Sequence, residues 1–221
     1  MTATAPETRQ GTAPTGPGSQ PPGRRERKKQ RTREALVDAA FTLFAEKGFD
    51  ATTVEEIADA VDVSSRTFFR YFASKEDVAL TFQEEQTRAV MAALAERPPD
   101  EPIMTALRRT VVEIARACER GELGFDPDRF QCLLGMMSDS PTLLAGSLEH
   151  AQKKQQLLTR IIAERMGTDP ATDLRPHVIA ASATCGFQAA SDVARRHGDA
   201  FGSLSETIDQ AFAILEQGLN S

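Results

Sequence analysis

The sequence predicts an all-α protein of about nine helices, arranged as a short N-terminal part and a larger C-terminal one. Three observations predict it. From residue 32 onward, apolar side chains recur at the i, i+3, i+4, i+7 spacing of one helix face. Segment after segment opens on a Ser, Thr or Asp with Pro or Glu close behind, which marks a capped helix start. No window keeps the apolar–polar alternation of a strand, and no internal repeat is present.

Residues 1–23 hold five Pro and four Gly among Thr, Ser and Gln. Nothing there can build a core, so disorder is expected. Residues 24–33 hold seven basic groups and one acid and are expected to form an arm leading into the first helix. That helix buries Leu36, Ala39, Ala40, Leu43 and Phe44 and ends at Gly48. The second starts at Thr53, with Glu56 three residues on to complete a capping box, and buries Val54, Ile57, Ala58 and Val61. After a turn over residues 61–64, a third helix covers residues 65–72. A longer one begins near Ser74, with Glu76 and Asp77 suited to its positive end.

Further helices follow in the second part, residues 76–221. One covers about 102–120. Another has Asp126 as cap and Pro127 in its first turn. Ser140 and Pro141 repeat that signal and open a long helix to about Met166. Pro176 opens the next, to about Arg196. The last starts near Leu204 and shows Leu204, Ile208, Ala211, Phe212, Leu215 and Leu219 on one face.

Composition is that of an ordinary soluble globular protein, with 40% hydrophobic and 26% charged residues. The longest apolar run, residues 89–95, falls far short of the about 20 residues a membrane span needs, and no apolar leader opens the chain. Cys118, Cys132 and Cys185 are widely spaced and form no CxxC pair, so neither a disulfide framework nor a metal site is expected, and a reducing cytoplasm is. Net charge is −6, but it is unevenly spread. Residues 1–75 carry 12 basic and 10 acidic groups, and residues 76–221 carry 14 and 22. Only one end is suited to phosphate.

The third helix carries the chemistry. On a helical wheel, Phe68, Phe72, Ser65 and Phe69 fall on one side and can pack on the preceding helices. Arg66, Thr67, Arg70 and Tyr71 fall on the other. Such a face fits the major groove, where Arg bridges guanine O6 and N7 and Thr meets a thymine methyl. Taken alone it is equally a solvated surface with a stray Arg pair. Its context favours DNA: Asp62 can pivot a tight turn in the left-handed region, Ala58 is small enough for close helix crossing, and Lys75 stands where an ammonium and free amides can meet a phosphate.

The run Thr52-Thr53-Val54-Glu55-Glu56-Ile57-Ala58, then Val63-Ser64-Ser65-Arg66-Thr67-Phe68-Phe69-Arg70-Tyr71-Phe72, then Ser74-Lys75-Glu76-Asp77, resembles the TetR family of regulators. The resemblance covers about residues 30–80, and Asp62 stands where that family commonly has Gly. The wording from Arg66 to Phe72 is similar to actinobacterial members whose C-terminal domain takes acyl-CoA-like ligands. The resemblance implies a helix-turn-helix DNA-binding domain over residues 24–75 and a ligand-binding and dimerisation domain over residues 76–221. It implies phosphate contacts from Thr53, Tyr71 and Lys75, and contacts to bases or nearby phosphates from Ser64, Ser65, Arg66, Thr67 and Arg70. The basic arm, with Arg31, is expected on the backbone or in the minor groove, or else to be a mobile charged tail.

The expected partners of the chain are double-stranded operator DNA, a second copy of the chain and a small-molecule effector, with no membrane and no cofactor. Small residues on the penultimate helix, among them Ser182 and Ala189, and the face of Ile208, Phe212 and Leu215 on the last helix are expected at a homodimer interface. The alternative is that both faces serve the monomer core. Phe125, Phe130, Leu134, Met137 and Leu148, with Cys185, are expected to line a ligand pocket, or else to be ordinary core. Two other function classes were weighed. An enzyme lacks support, because no metal spacing, nucleophile elbow or phosphate loop is present. A helical scaffold without DNA binding would not retain DNA in a salt-sensitive, sequence-specific way.

Overall fold

A computed structural model describes residues 23–218, without the side chains of residues 138, 149, 198 and 199. Residues 1–22 of the expected tail, and Leu219 of the last helix's expected face, lie outside the described residues. Among the described residues there are nine helices and no strand: α1 (Arg24–Lys47), α2 (Val54–Asp59), α3 (Ser65–Phe68), α4 (Lys75–Ala95), α5 (Ile103–Arg120), α6 (Pro127–Asp139), α7 (Pro141–Met166), α8 (Arg175–Phe201) and α9 (Leu204–Gln217).

The four caps expected from sequence, Thr53, Ser74, Asp126 and Ser140, start these helices, and Ser64 and Ser203 serve α3 and α9 in the same way. Thr53, Ser64, Ser74, Asp126, Ser140 and Ser203 each accept a backbone N–H of the first turn, satisfying donors the helix itself cannot pair. Three boundaries differ. The basic stretch expected as an arm forms the first turns of α1, with Arg27 N donating to Gly23 O at 3.0 Å. Arg, Lys, Gln and Glu are good helix formers, and no Gly or Pro interrupts them before Gly48. The third helix is regular only over Ser65–Phe68. Tighter turn bonds carry the chain on to Phe72, with Tyr71 N donating to Phe68 O at 2.8 Å. α8 also passes the expected end at residue 196, bending at His197 (φ −140°, ψ 31°).

One apolar cluster runs from Leu36 on α1 to Phe212 on α9. Leu36, Ala40, Phe41 and Phe44 of α1 close over Ile57, Ala58 and Phe68. α4 belongs to both parts: its first turns bury Val78, Leu80 and Phe82, and its last turns bury Val90, Met91 and Leu94.

α5 is held against α9 by charge as well as by its apolar face. Arg108 bridges Asp209 at 2.8 Å and Glu216 at 2.9 Å, and the Glu119 carboxylate accepts from the amide and hydroxyl of Ser205 at 2.8 and 2.7 Å. The two carboxylates beside Arg108 hold its proton more firmly still. α8 lies so close to α9 that a Cβ on Gly186 would come within 2.7 Å of Leu215 Cδ1. Glycine there sets the helix spacing.

Candidate nucleic-acid interface

The turn between α2 and α3 aims α3 away from the body. Asp62 adopts φ +53°, the left-handed pivot expected of it. The amides of Val61 and Val63 both donate to Ala58 O, at 3.1 and 3.0 Å, so the tight turn leaves neither unpaired. Ala58 itself is fully buried. At the start of α2, Glu56 Oε2 accepts from the Thr53 amide at 2.9 Å and hydroxyl at 3.0 Å, while Thr53 Oγ1 accepts from Glu56 N. Lys47 pairs with Glu56, and that bond, aided by Thr53, holds the carboxyl down at about 2. Thr53 is exposed with its hydroxyl fixed in place.

On α3, Ser64 Oγ accepts from Thr67 N at 3.2 Å and lies 3.1 Å from Thr67 Oγ1, which fixes both hydroxyls. Phe68 and Phe72 are buried, as expected. Phe69, expected on the packing side, is instead 56% exposed. A single helical turn gives Phe68 the whole space above α1 and α2, and Phe69 meets only the edge of that ring, 5.5 Å away. Ser64, Arg66 and Arg70 are exposed, and Ser65, Thr67 and Tyr71 are partly so. The Arg70 guanidinium donates to Tyr71 Oη at 3.3 Å and lies 5.1 Å from its ring centroid, a contact that lowers the phenol's pKa. The two side chains therefore form one pre-set unit.

Positive charge on this side is largely uncompensated. Among the described residues, Arg66, Arg31 and the neighbouring Arg24, Arg25, Arg27 and Lys28 make no ion pair, while Lys29 reaches Glu26 only at 4.0 Å. Lys75, expected at a phosphate, has partners within the chain. Its ammonium donates to Phe49 O at 2.8 Å, Asp50 O at 3.2 Å and Thr52 O at 2.9 Å, over the Phe49 ring. An ammonium has three N–H bonds, and all three are engaged.

Two contacts that nothing local in the sequence signals join this unit to the rest. Ser140 Oγ donates to Asp50 Oδ1 at 3.0 Å, and Arg129 pairs with Asp38 while lying over the Phe41 ring. Beside them an open cleft of about 440 Å³ runs between the end of α1 and α6, lined by Lys47, Phe49, Cys132, Gly135 and Met136.

Residues 36–81 match the family described as bacterial regulatory proteins, tetR family, and residues 101–220 match the MftR C-terminal domain. The chain belongs to the TetR family. It is a DNA-binding transcriptional regulator and not an enzyme. It is 42% identical over 161 residues to the HTH-type transcriptional regulator TcmR of Streptomyces glaucescens, covering 72% of this chain and 71% of that one. Its fold is that of NalD, the secondary repressor of the MexAB-OprM efflux pump in Pseudomonas aeruginosa (TM-score 0.56, 16% identity, 87% of this chain and 97% of that one). It is also that of Thermus thermophilus FadR, a TetR family repressor solved with lauroyl-CoA (TM-score 0.55, 23% identity, 86% and 95%).

TetR regulators bind operator DNA as dimers and take small-molecule ligands. In this TetR chain the residues expected at those two sites divide. Phe125 and Phe130 pack on Phe82 at 5.7 and 6.0 Å, and Leu134 and Met137 adjoin the same core. Leu148 (54% exposed) and Cys185 face outward, away from any such pocket, because the inward stripes of α7 and α8 are taken by Leu143, Leu158, Ala180 and Ala183. At the expected dimer face, Ala189 is exposed and Ser182 and Leu215 are partly so. Ile208 and Phe212, expected at the same face, are buried within the chain itself, at 0% and 1% exposure. The large apolar side chains left outside on α8 and α9 are Val178, Phe201 and Ile214, at 52%, 43% and 55%.

Proposed function

We propose that the chain is a ligand-responsive repressor. It binds a palindromic operator as a homodimer and is released by a small hydrophobic or acyl-CoA-like effector in its C-terminal domain. The observation that carries this reading is the exposed, pre-set face of Arg66, Thr67 and Arg70 beside unpaired cations on α1. Arg66, Thr67 and Arg70 read base edges, and Ser64, Ser65, Tyr71 and Thr53 hold the flanking backbone. Arg31 and the first turns of α1 follow the phosphates. Lys75 acts indirectly, by clamping the loop between α1 and α2 that presents Thr53.

The exposed stripe of Val178, Ser182 and Ala189 on α8, with Ile214 on α9, supports pairing with a second copy. A two-fold pair would set its reading helices about 34–36 Å apart. An effector releases the operator only to the extent that it prefers a state in which that spacing is wrong. The contacts from α6 and α7 to Asp38 and Asp50 offer the route from the effector domain to the reading unit. The fold shared with a FadR solved with lauroyl-CoA makes acyl-CoA the first effector class to try. No described helix is long and apolar enough to cross a membrane, and the working place of such a repressor is the cytoplasm with its DNA.

Selecting bound sequences from a random DNA pool at stated salt tests the reading. A recovered palindrome with half-sites one turn of DNA apart is the expected result. A pool that stays random, with binding lost at modest salt, would reduce the face to a basic surface.

A further inference from the structure

The interior of the C-terminal domain carries polar groups that its own fold matches poorly. On α4, the Gln83 amide donates to the Met137 thioether at 3.2 Å and to Ser147 Oγ at 3.3 Å. Nearly one turn on, the Gln86 amide donates to the Cys118 sulfur at 3.1 Å. Sulfur is a weak acceptor, so each of these two partly buried amides directs an N–H at a partner poorer than the water it left, with Ser147 Oγ the better acceptor of Gln83.

Ser147 leads along α7 to Lys154, seven residues and about 10 Å further along the same face. The Lys154 ammonium stands 4.8 Å from the Phe187 ring centroid on α8. It makes no ion pair or hydrogen bond among the described residues, and burial alone pushes its pKa down to about 8. The residue as a whole is partly exposed. A desolvated ammonium facing only a ring is expensive to keep, and unlike Arg108 or Arg129 it braces nothing.

We propose that Lys154 is the charge anchor of the effector site and that the effector is an acid. It carries a carboxylate or phenolate on an apolar body about 10 Å long. This rests on the reading of an effector site in the C-terminal domain. The acidic group accepts from the ammonium beside Phe187. The apolar body lies along α7, and acceptor oxygens at its far end take over the Gln83 and Gln86 amides from sulfur. An anion gives the ammonium the charged partner the chain withholds, and a neutral ligand of the same shape does not.

The test uses the full chain and three acids as probes: naphthalene-2-carboxylate, biphenyl-4-carboxylate and dodecanoate. Each is compared with its primary amide, by calorimetric Kd and by release of selected operator DNA. The wild type is expected to bind at least one acid roughly tenfold tighter than its amide. K154M, read alongside K154Q, is expected to bind the acid and amide alike. Both variants are expected to keep wild-type operator affinity and to unfold about 2–4 °C higher, because removing an unpaired buried charge relieves a penalty. A merely structural lysine would lower Tm instead. The anchor is overturned if no acid binds, if acids and amides bind the wild type equally, or if the preference survives in both variants. Amides that release the operator as well as acids do would leave the effector site standing without its anchor. If no probe alters operator binding, both readings lose support together.

Discussion

Ser140 Oγ donates a 3.0 Å hydrogen bond to Asp50 Oδ1 while it caps α7 by accepting from Leu143 N. One buried hydroxyl thus joins the start of α7 to the loop that positions α2. Ser140 cannot be changed without losing the cap, but Asp50 can. D50A is expected to cost about 0.5–1.5 kcal/mol, the net worth of one such bond. Hydrogen exchange should show α1, α2 and α3 opening more readily, with α5 and α9 unchanged. Equal loss of protection throughout would deny the contact its role as a link.

Lys75 and Arg31 should separate cleanly. K75M leaves three carbonyls without their charged donor and is expected to destabilise the fold by about 2–3 kcal/mol. The salt dependence of operator binding should not move if the wild-type ammonium stays engaged with these carbonyls. R31A should do the reverse, leaving Tm unchanged and lowering the salt slope by about one unit. Log–log plots of affinity against salt for both variants decide this.

At Asp62 the backbone, not the side chain, sets the requirement. D62G is expected to be neutral or stabilising by up to about 1 kcal/mol, and D62V to destabilise by about 1–2 kcal/mol, because a branched side chain resists positive φ. Thermal unfolding of the two variants, side by side, checks the sign.

The inner and outer faces of α8 and α9 should answer differently to mutation. V178R and I214R place charge on exposed apolar positions and are expected to leave a folded monomer with weakened operator binding. F212A removes a fully buried ring and is expected to cost about 3–5 kcal/mol in the fold of each subunit. Sedimentation together with circular dichroism distinguishes the outcomes. A dimer persisting in both charged variants would move the interface elsewhere.

The helix starts were legible because capping is local: Thr53, Ser74, Asp126 and Ser140 signal within three residues of themselves. The exposure of Arg66 and Arg70 was legible for the same reason, since the short helical turn fixes which side they take. What was not legible depended on distant parts of the chain. Ile208 and Phe212 lie on a face that suits either a partner or the core, and only the position of α5 decides between them. Lys75 meets carbonyls from a loop far upstream, so its surroundings say nothing of its engagement. The basic stretch at the start of α1 was misjudged from its charge, although Arg, Lys and Gln also favour helix.

The central claim is that Arg66 on α3 and Arg70 in the turn just after it read bases. The direct measurement is the affinity of wild type, R70A and R66A for the selected operator and for scrambled DNA of equal length, at one physiological salt concentration. The account predicts that each substitution weakens operator binding by about 1–3 kcal/mol and scrambled-DNA binding far less, so that the specificity ratio falls by about tenfold or more. Equal loss on both DNAs, or no loss on either, would contradict it.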